Sequence, residues 1–212
     1  MGSPKKTRKK YTTPLHPWRA ARIEKEKALD KIYGFKNRKE IWKMASLLKE
    51  MKSQAKKLIA RGDAQSAKEE KLLKERAFSL GLIEKDAKLE DILGLNIEKV
   101  LERRLQTQVF RLGLAKSVRQ ARQFIVHGHI LIEDKKVNVP SYQVRVSDTI
   151  EVRQKSAGNK FFKEAISPRL EKHELIKWLT MDPAVFMGRV IALPEEDDIP
   201  QNFNRKMIIE FY

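Results

Sequence analysis

The side chains with the clearest chemical potential are guanidinium groups spaced along residues 117–128. At about 100° per residue, Arg119, Arg122 and Gln123 fall on one side of a helix, and the other side is apolar. A guanidinium is a planar fork that binds two phosphate oxygens at once, and a helix N-terminus also favours anions. The spacing therefore predicts an anion-binding face, with a merely solvated basic face as the alternative.

Two other groups contain residue types that bind metals. His127 and His129 flank a glycine, but the chain has no cysteine and no supporting carboxylate pattern, so a helix-to-strand junction is favoured over a metal pair. At such a junction both imidazoles can donate to RNA phosphate or 2′-OH groups. Four adjacent carboxylates on a loop point in different directions, so a solvated loop or a contact with a basic partner protein is favoured over a divalent ion. Of these two, we expect the contact with a protein. The four carboxylates are Glu195, Glu196, Asp197 and Asp198.

Catalytic sequence motifs are absent. The nine glycines form neither a G-x-G-x-x-G pattern nor a P-loop, and no G-x-S-x-G or Cys/His nucleophile motif occurs. We therefore predict that the chain is not an enzyme and takes no metal and no cofactor.

Composition indicates a polyanionic partner. The 212 residues carry a net charge of +17 with a pI near 10.0, and all of the excess positive charge lies in residues 1–155. A hydrophobic content of 41% is enough for one or two domains with a core. The lack of cysteine excludes disulfides and mildly favours the cytoplasm. No apolar run approaches about 20 residues, so no membrane span is predicted.

Local signals define the helix that carries the central arginines. Ser117 is a good N-cap, Gln120 completes a capping box, and Gly128 suits the left-handed position after the last turn. Upstream, residues 101–112 predict one helix, which Gly113 ends. Downstream, alternating apolar residues predict a small sheet. Its extended segments are expected at 129–132, 136–139, 142–146 and 150–152.

The amino-terminal residues 1–37 combine a basic tail with a first helix at 19–31. Prolines exclude a continuous helix in the tail, and repulsion among its cations is expected to keep it disordered until an anion neutralises it. Aromatic rings among the cations can stack on bases, so the tail is interpreted as an RNA-binding arm. The plainer alternative is a localisation-like or solubilising patch.

Residues 38–99 predict a helical domain. Its long first helix, 38–61, alternates an apolar stripe with lysines, and Asn37 with Glu40 is expected to cap it. Two further helices are expected at about 64–80 and 86–95.

The remaining residues, 156–212, form a separate carboxy-terminal segment. A polar linker at 153–162 leads into it and includes its first residues. Its expected elements are a helix at 171–179 containing Trp178, a turn at 181–183, a strand at 189–193, a loop at 194–200 and a terminal strand at 207–211.

Several short sequence motifs occur in order between residues 101 and 152. They are L-E-R-R-L, R-L-G-L-A, A-R-Q-F-I-V-H-G-H-I, K-K-V-N-V-P-S-Y and D-T-I-E-V. This stretch resembles the RNA-binding module of the S4 family, named after a protein of the small ribosomal subunit. The start, K-K-Y-T-T-P-L-H-P-W, is similar to archaeal-type members, whereas W-L-T-M-D-P and the final I-I-E-F-Y are similar to bacterial ones.

The resemblance implies an α+β fold: a helical amino-terminal domain (38–99), an S4-type module of two or three helices on a small, mainly antiparallel sheet (100–155), and a carboxy-terminal segment (156–212) that packs on the helical domain. The resemblance also implies that the protein is a structural constituent of the small ribosomal subunit in the cytoplasm. Such a protein binds small-subunit rRNA early in assembly, adjoins neighbouring ribosomal proteins, and lies near the channel where mRNA enters, with a role in translational accuracy.

The residues expected to contact RNA belong to the tail, the first helix and the module. They are Lys5, Lys6, Arg8, Lys9, Lys10, Tyr11, His16, Trp18, Arg22, Arg103, Arg104, Arg111, Lys116, Arg119, Arg122, Gln123, His127, His129, Lys135, Lys136, Asn138, Ser141 and Tyr142. Phosphate and 2′-OH contacts are expected to dominate, so that recognition rests on RNA shape.

Two alternatives use the same module. One is an assembly factor of the machinery that matures small-subunit RNA, which would leave the finished particle. The other is an RNA-modifying enzyme, which would need a further catalytic domain; residues 156–212 are too few for a nucleotide-binding sheet.

Overall fold

The computed structural model describes residues 9–61, 63–159, 162, 166–170, 173, 175–183 and 185–194. Within these residues the helices are α1 Ala20–Tyr33, α2 Arg38–Ile59, α3 Ala64–Ser79, α4 Leu89–Gly94, α5 Ile97–Glu102, α6 Leu105–Arg111, α7 Val118–His127, α8 Gln154–Ala157 and α9 Ser167–Leu170. The strands in the same residues are β1 Ile130–Ile132, β2 Lys135–Lys136, β3 Thr149–Val152, β4 Leu179–Asp182 and β5 Met187–Val190. The predicted α+β class is confirmed. No helix among these residues is long and apolar enough to cross a membrane.

The helical part is organised around α2, whose apolar residues recur at three- and four-residue steps. Gly34 turns the chain between α1 and α2 with φ 56°, a left-handed conformation that glycine adopts without strain. Helices α3, α4 and α5 share one core with the apolar stripe of α2. The buried residues of that stripe are Ile41, Leu48, Met51, Ala55 and Leu58. The lysines between them stay on the outer side, as the pattern predicted.

The capping box predicted for α2 does not form. Asn37 occupies the N-cap position, but its side chain accepts no capping hydrogen bond. The carboxylate of Glu40 instead accepts hydrogen bonds from Arg104 and Arg122. Two charged donors bind a carboxylate more strongly than one backbone N–H group does.

The single helix predicted over residues 101–112 is also wrong, because the chain breaks it between α5 and α6. At the break, Val144 N donates to Arg103 O at 2.9 Å and Leu105 N donates to Tyr142 O at 2.8 Å. The segment at 142–146, predicted as a strand of the sheet, therefore pairs with this break through a bridge between Arg104 and Gln143. These backbone bonds replace the helical ones that the break removes.

Helix α7 forms within one residue of its predicted bounds. Ser117 Oγ accepts a hydrogen bond from Gln120 N at 3.2 Å, and Gly128 ends the helix with φ 73°. The Gln120 side chain accepts from the backbone N–H of Lys116 rather than from that of Ser117. The inner face of α7, including Ile125, packs with α6 against the sheet.

The sheet is antiparallel, and the strands described follow the order β2-β1-β3-β5-β4. Strand β2 is shorter than the predicted 136–139 segment. The turn between β1 and β2 holds Glu133 and Asp134 at positive φ, 46° and 63°. That is the twist a two-residue hairpin needs, and it presents Lys135 and Lys136 to solvent.

The described part of the carboxy-terminal segment joins this sheet, which was not predicted. Its last described residues, Ala192, Leu193 and Pro194, line a cleft together with Gly81 and Leu95 of the helical part, so packing of the segment on the helical domain stays a prediction. Residues 175–178 are not helical, and Leu179–Asp182 forms β4 where a helix end and a turn were predicted. Pairing with β5 decides the outcome, because it buries Trp178 and Leu179 in the core of the module. The predicted linker at 153–162 contains the short helix α8. Residues 195–212, including the predicted terminal strand, lie outside the described residues.

Candidate nucleic-acid interface

One exposed stripe runs the length of α7. Arg119, Gln123 and His127 follow each other at four-residue steps, and Lys116 precedes them just before the N-cap. All four side chains are exposed. Because caps fix both ends of the helix, the backbone positions that carry Arg119, Gln123 and His127 are fixed relative to one another. We call them the α7 stripe.

The β1–β2 hairpin extends the α7 stripe with two lysines. Lys135 and Lys136 are exposed, and the Lys136 side chain lies across Gly128, where any side chain would collide with it. The loop after β2 adds exposed polar side chains beside the break between α5 and α6. They are Asn138, Ser141 and Tyr142. The structure thus brings together the groups predicted on α7 and on the hairpin.

The two histidines differ in their surroundings. His127 is exposed, whereas His129 is half-buried and its Nδ1 lies 2.9 Å from Ser156 Oγ. Burial, together with His127 and Arg153 nearby, lowers the pKa of His129 below 6.5. This shift favours the neutral form of the His129 imidazole. The described residues contain no cluster of three or more His, Asp or Glu that could hold a metal.

Arg103 and Arg104 are buried, and this corrects their assignment to the RNA surface. Arg103 is fully buried against Gly81, and burial lowers its pKa to about 10. Arg104 is 2% exposed; it donates to Glu40 at 2.9 Å, and its guanidinium lies 5.0 Å from the centre of the Phe35 ring. Neither side chain offers surface to a partner.

Three other predicted arginines are engaged inside the protein. Arg122 makes two hydrogen bonds to the carboxylate of Glu40, at 2.8 and 3.2 Å. Arg111 binds Glu102 at 2.9 Å, and Arg22 binds Glu26. These half-buried guanidinium groups serve the fold, so they contribute less to an RNA surface than the exposed Arg119.

Sequence reasoning missed the polar network that joins α1 and α2 to the module. Gln106 is buried, and its Nε2 donates to Gly34 O and to Val118 O, both at 3.1 Å. Tyr33 Oη donates to buried Glu102 at 2.9 Å, beside Arg111. The position of Glu40 on the edge of the apolar stripe of α2 is a sequence signal that could have indicated an inward-facing carboxylate.

The tail residues that the structure describes have unequal exposure. Lys9, Lys10, His16 and Trp18 are exposed, and Trp18 is 89% exposed. Tyr11 is half-buried, with its ring centre 6.0 Å from that of Trp42. Other predicted contacts lie outside the described residues. They are Lys5, Lys6, Arg8 and the acidic loop Glu195, Glu196, Asp197 and Asp198.

The bond between Glu40 and its two arginines predicts a pH dependence of stability. Burial raises the pKa of Glu40, but hydrogen bonds from Arg122 and Arg104 outweigh it and leave the pKa below 4.5. A depressed folded-state pKa gives stability that is present above the unfolded value and is lost as the pH falls through the folded value. We expect the difference in unfolding free energy between the wild type and Glu40→Gln to shrink below pH 4.5.

Denaturant unfolding between about pH 7 and pH 3 measures that difference. Glu75→Gln, on the exposed side of α3, is the matched control. Its unfolding free energy should stay close to that of the wild type over the whole pH range. A constant difference for Glu40→Gln across this range would contradict the expectation.

Comparison with known proteins agrees with this geometry. A capped basic helix on a small antiparallel sheet is the arrangement of an S4-type RNA-binding protein, and residues 103–150 match the family model of the S4 domain. Small ribosomal subunit protein uS4 of Methanococcus aeolicus is 52% identical over 145 residues, which are 68% of this chain and 82% of the relative. The chain belongs to the uS4 family.

Two further uS4 relatives give similar values. The protein of Methanococcus maripaludis is 49% identical over 152 residues, 70% of this chain and 84% of the relative. That of Methanothermobacter thermautotrophicus is 43% identical over 145 residues, 68% of this chain and 85% of the relative. All three relatives are archaeal, which agrees with the archaeal-type resemblance of the start of the sequence.

Proposed function

We propose that this chain is a structural component of the small ribosomal subunit and binds small-subunit rRNA directly. The relatives that carry the name small ribosomal subunit protein uS4 support the first part. One observation carries the second part. The α7 stripe, on a helix capped at both ends, and the hairpin lysines beside it form one exposed basic surface. Cations carried on a rigid helix and hairpin suit the fixed phosphate positions of folded RNA.

The finer aspects of the proposal are those that the resemblance to the S4 family suggests. The protein binds rRNA early in subunit assembly in the cytoplasm, and it lies near the channel where mRNA enters, where it influences translational accuracy. Neighbouring ribosomal proteins are its protein partners, and the acidic loop at 195–198 is the segment proposed to meet one of them, because its charge repels RNA.

The test replaces Arg119 and Lys135 together with alanine and measures affinity for a small-subunit rRNA fragment over a range of salt concentrations. Arg119 is preferred to Arg122 because Glu40 already holds Arg122. Each phosphate that the variant no longer neutralises should flatten the slope of log affinity against log salt by about 0.7–0.9. The matched control removes two lysines from the exposed side of α3, Lys68 and Lys71, and should keep the slope.

A slope that the Arg119→Ala, Lys135→Ala pair leaves unchanged would contradict the proposed surface. Membership of the subunit is tested separately, by washing mature small subunits in high salt. Retention of the protein supports a structural component, whereas its absence from mature particles would indicate an assembly factor.

A further inference from the structure

The chain before α1 lies along α2 and encloses a groove with it. Thr12 N donates to Ser46 Oγ at 2.9 Å, and the Tyr11 ring packs on that of Trp42. Trp42 is itself fixed, since its Nε1 donates to Glu26 at 2.8 Å. The space between the chain and the helix has a volume of about 730 Å³. We call it the arm groove.

Cations line both walls of the arm groove. Lys9 and Lys10 stand on the chain side, and Lys43 and Lys49 on the α2 side; all four are exposed. Arg76 of α3 reaches the same groove. Among the described lining residues the one carboxylate is Glu50, which lies 4.0 Å from Arg76. Like charges on facing walls repel each other, so an anion between them would stabilise the closed arrangement.

The spacing of the cations suits a chain of anions. Lys43 and Lys49 are six residues apart, which places them about 9 Å apart along the helix axis. Successive phosphates of one strand can contact the two lysines in turn. Between them the groove is lined by Ser46, a hydroxyl, and by Met44 and Leu47, apolar side chains against which a ribose can pack.

We propose that the arm groove is a second RNA contact, separate from the α7 stripe, and that it takes the ribose–phosphate backbone of one extended strand. The proposal rests on the proposed function, because it assumes that RNA is the polyanion that the chain binds. It adds Lys43, Lys49 and Arg76 to the contact residues.

The test uses the full-length protein and a small-subunit rRNA fragment, with an amine-reactive reagent and mass spectrometry to measure the reactivity of each lysine. RNA should reduce the labelling of Lys43 and Lys49 several-fold. Lys71, on the opposite side of α3 from Arg76, is the internal control and should keep its reactivity. Lys135 reports on the surface of the module in the same experiment.

The outcomes separate the two proposals. Protection of Lys135 with no protection of Lys43 and Lys49 would overturn the groove and leave the proposed function standing. Protection at neither place would overturn both. Protection of the groove lysines by a neighbouring acidic protein, but not by RNA, would also overturn the groove as an RNA contact.

A pair of variants gives a second measurement of the same point. Lys43→Ala with Lys49→Ala should flatten the salt dependence of RNA binding by about 0.7–0.9 per phosphate that is no longer neutralised. Lys56→Ala with Lys57→Ala removes the same charge from the same helix outside the groove, and should flatten it less. Equal slopes for the two pairs would show that only net charge matters and would overturn the groove.

Discussion

Glu40→Gln should lower the free energy of unfolding by about 3–5 kcal/mol, because it leaves a buried guanidinium without its counter-charge. Arg104 is 2% exposed and donates to Glu40 at 2.9 Å. An amide keeps the shape of the carboxylate but not its charge, and Arg104 has no route to water. Denaturant unfolding at neutral pH measures the loss.

The same substitution should weaken RNA binding although it makes the protein more positive. Glu40 belongs to α2, and Arg122 belongs to α7, so their two hydrogen bonds hold the helical part against the module. If net charge alone governed affinity, the variant would bind RNA more tightly. Weaker binding at a protein concentration and temperature where the variant is folded would indicate that Glu40 positions the two basic surfaces.

A double-mutant cycle is the control for this prediction. Arg104→Met removes the buried charge that Glu40→Gln leaves unpaired. The double variant should therefore lose less unfolding free energy than the sum of the losses of the two single variants. Strictly additive losses would mean that the two residues do not interact and would contradict the buried pair.

Gly113→Ala should be the second strongly destabilising change. Gly113 follows α6 with φ 80°, a backbone conformation that costs an alanine roughly 1–2 kcal/mol. A Cβ there would also lie 2.8 Å from His173 Cδ2 and 3.1 Å from Leu170 Cδ2. His173 cannot move away freely, because its Nε2 lies 2.9 Å from Arg111 O. Crowding of this kind costs about a further 1–3 kcal/mol.

Gly94→Ala is the matched control, since it adds the same methyl group at the end of α4. No atom lies within 4 Å of a Cβ at Gly94, and its φ is not positive. We expect a neutral to slightly stabilising effect, up to about 1 kcal/mol, as alanine restricts the unfolded chain. Similar melting temperatures for the two variants would contradict the close packing at Gly113.

The parts of the fold that were predictable are those that neighbouring residues decide. Helix α7 is specified by Ser117 and Gly128, two local signals, and α2 by the period of its apolar stripe. In both cases the side chains that set the structure lie within a few turns of each other, so the sequence alone contains the information.

The parts that were not predictable depend on distant residues. The break between α5 and α6 exists because residues 142–144 pair with it, and β4 exists because β5 lies beside it. The apolar spacing of Leu175, Ile176 and Leu179 suits a helix equally well. Local pattern cannot choose between the two states when a strand partner is the deciding contact.

The candidate site divides in the same way. Arg119 and Arg104 look alike in sequence, as basic residues in a basic segment. What separates them is Glu40, a carboxylate 64 residues before Arg104, which draws that guanidinium inward. A count of charges can predict that the protein binds a polyanion, but only the fold tells which arginines remain outside.

The pairing of β5 with β3 has a practical consequence for fragment design. A fragment of residues 103–150 would end inside β3 and would lack β5, the strand that pairs with one edge of β3. It would also lack Gly34, whose carbonyl accepts a hydrogen bond from Gln106 Nε2. An exposed strand edge carries unpaired backbone N–H and C=O groups that can pair with another chain, so such a fragment should aggregate. A better-behaved piece begins at α1 and ends after β5.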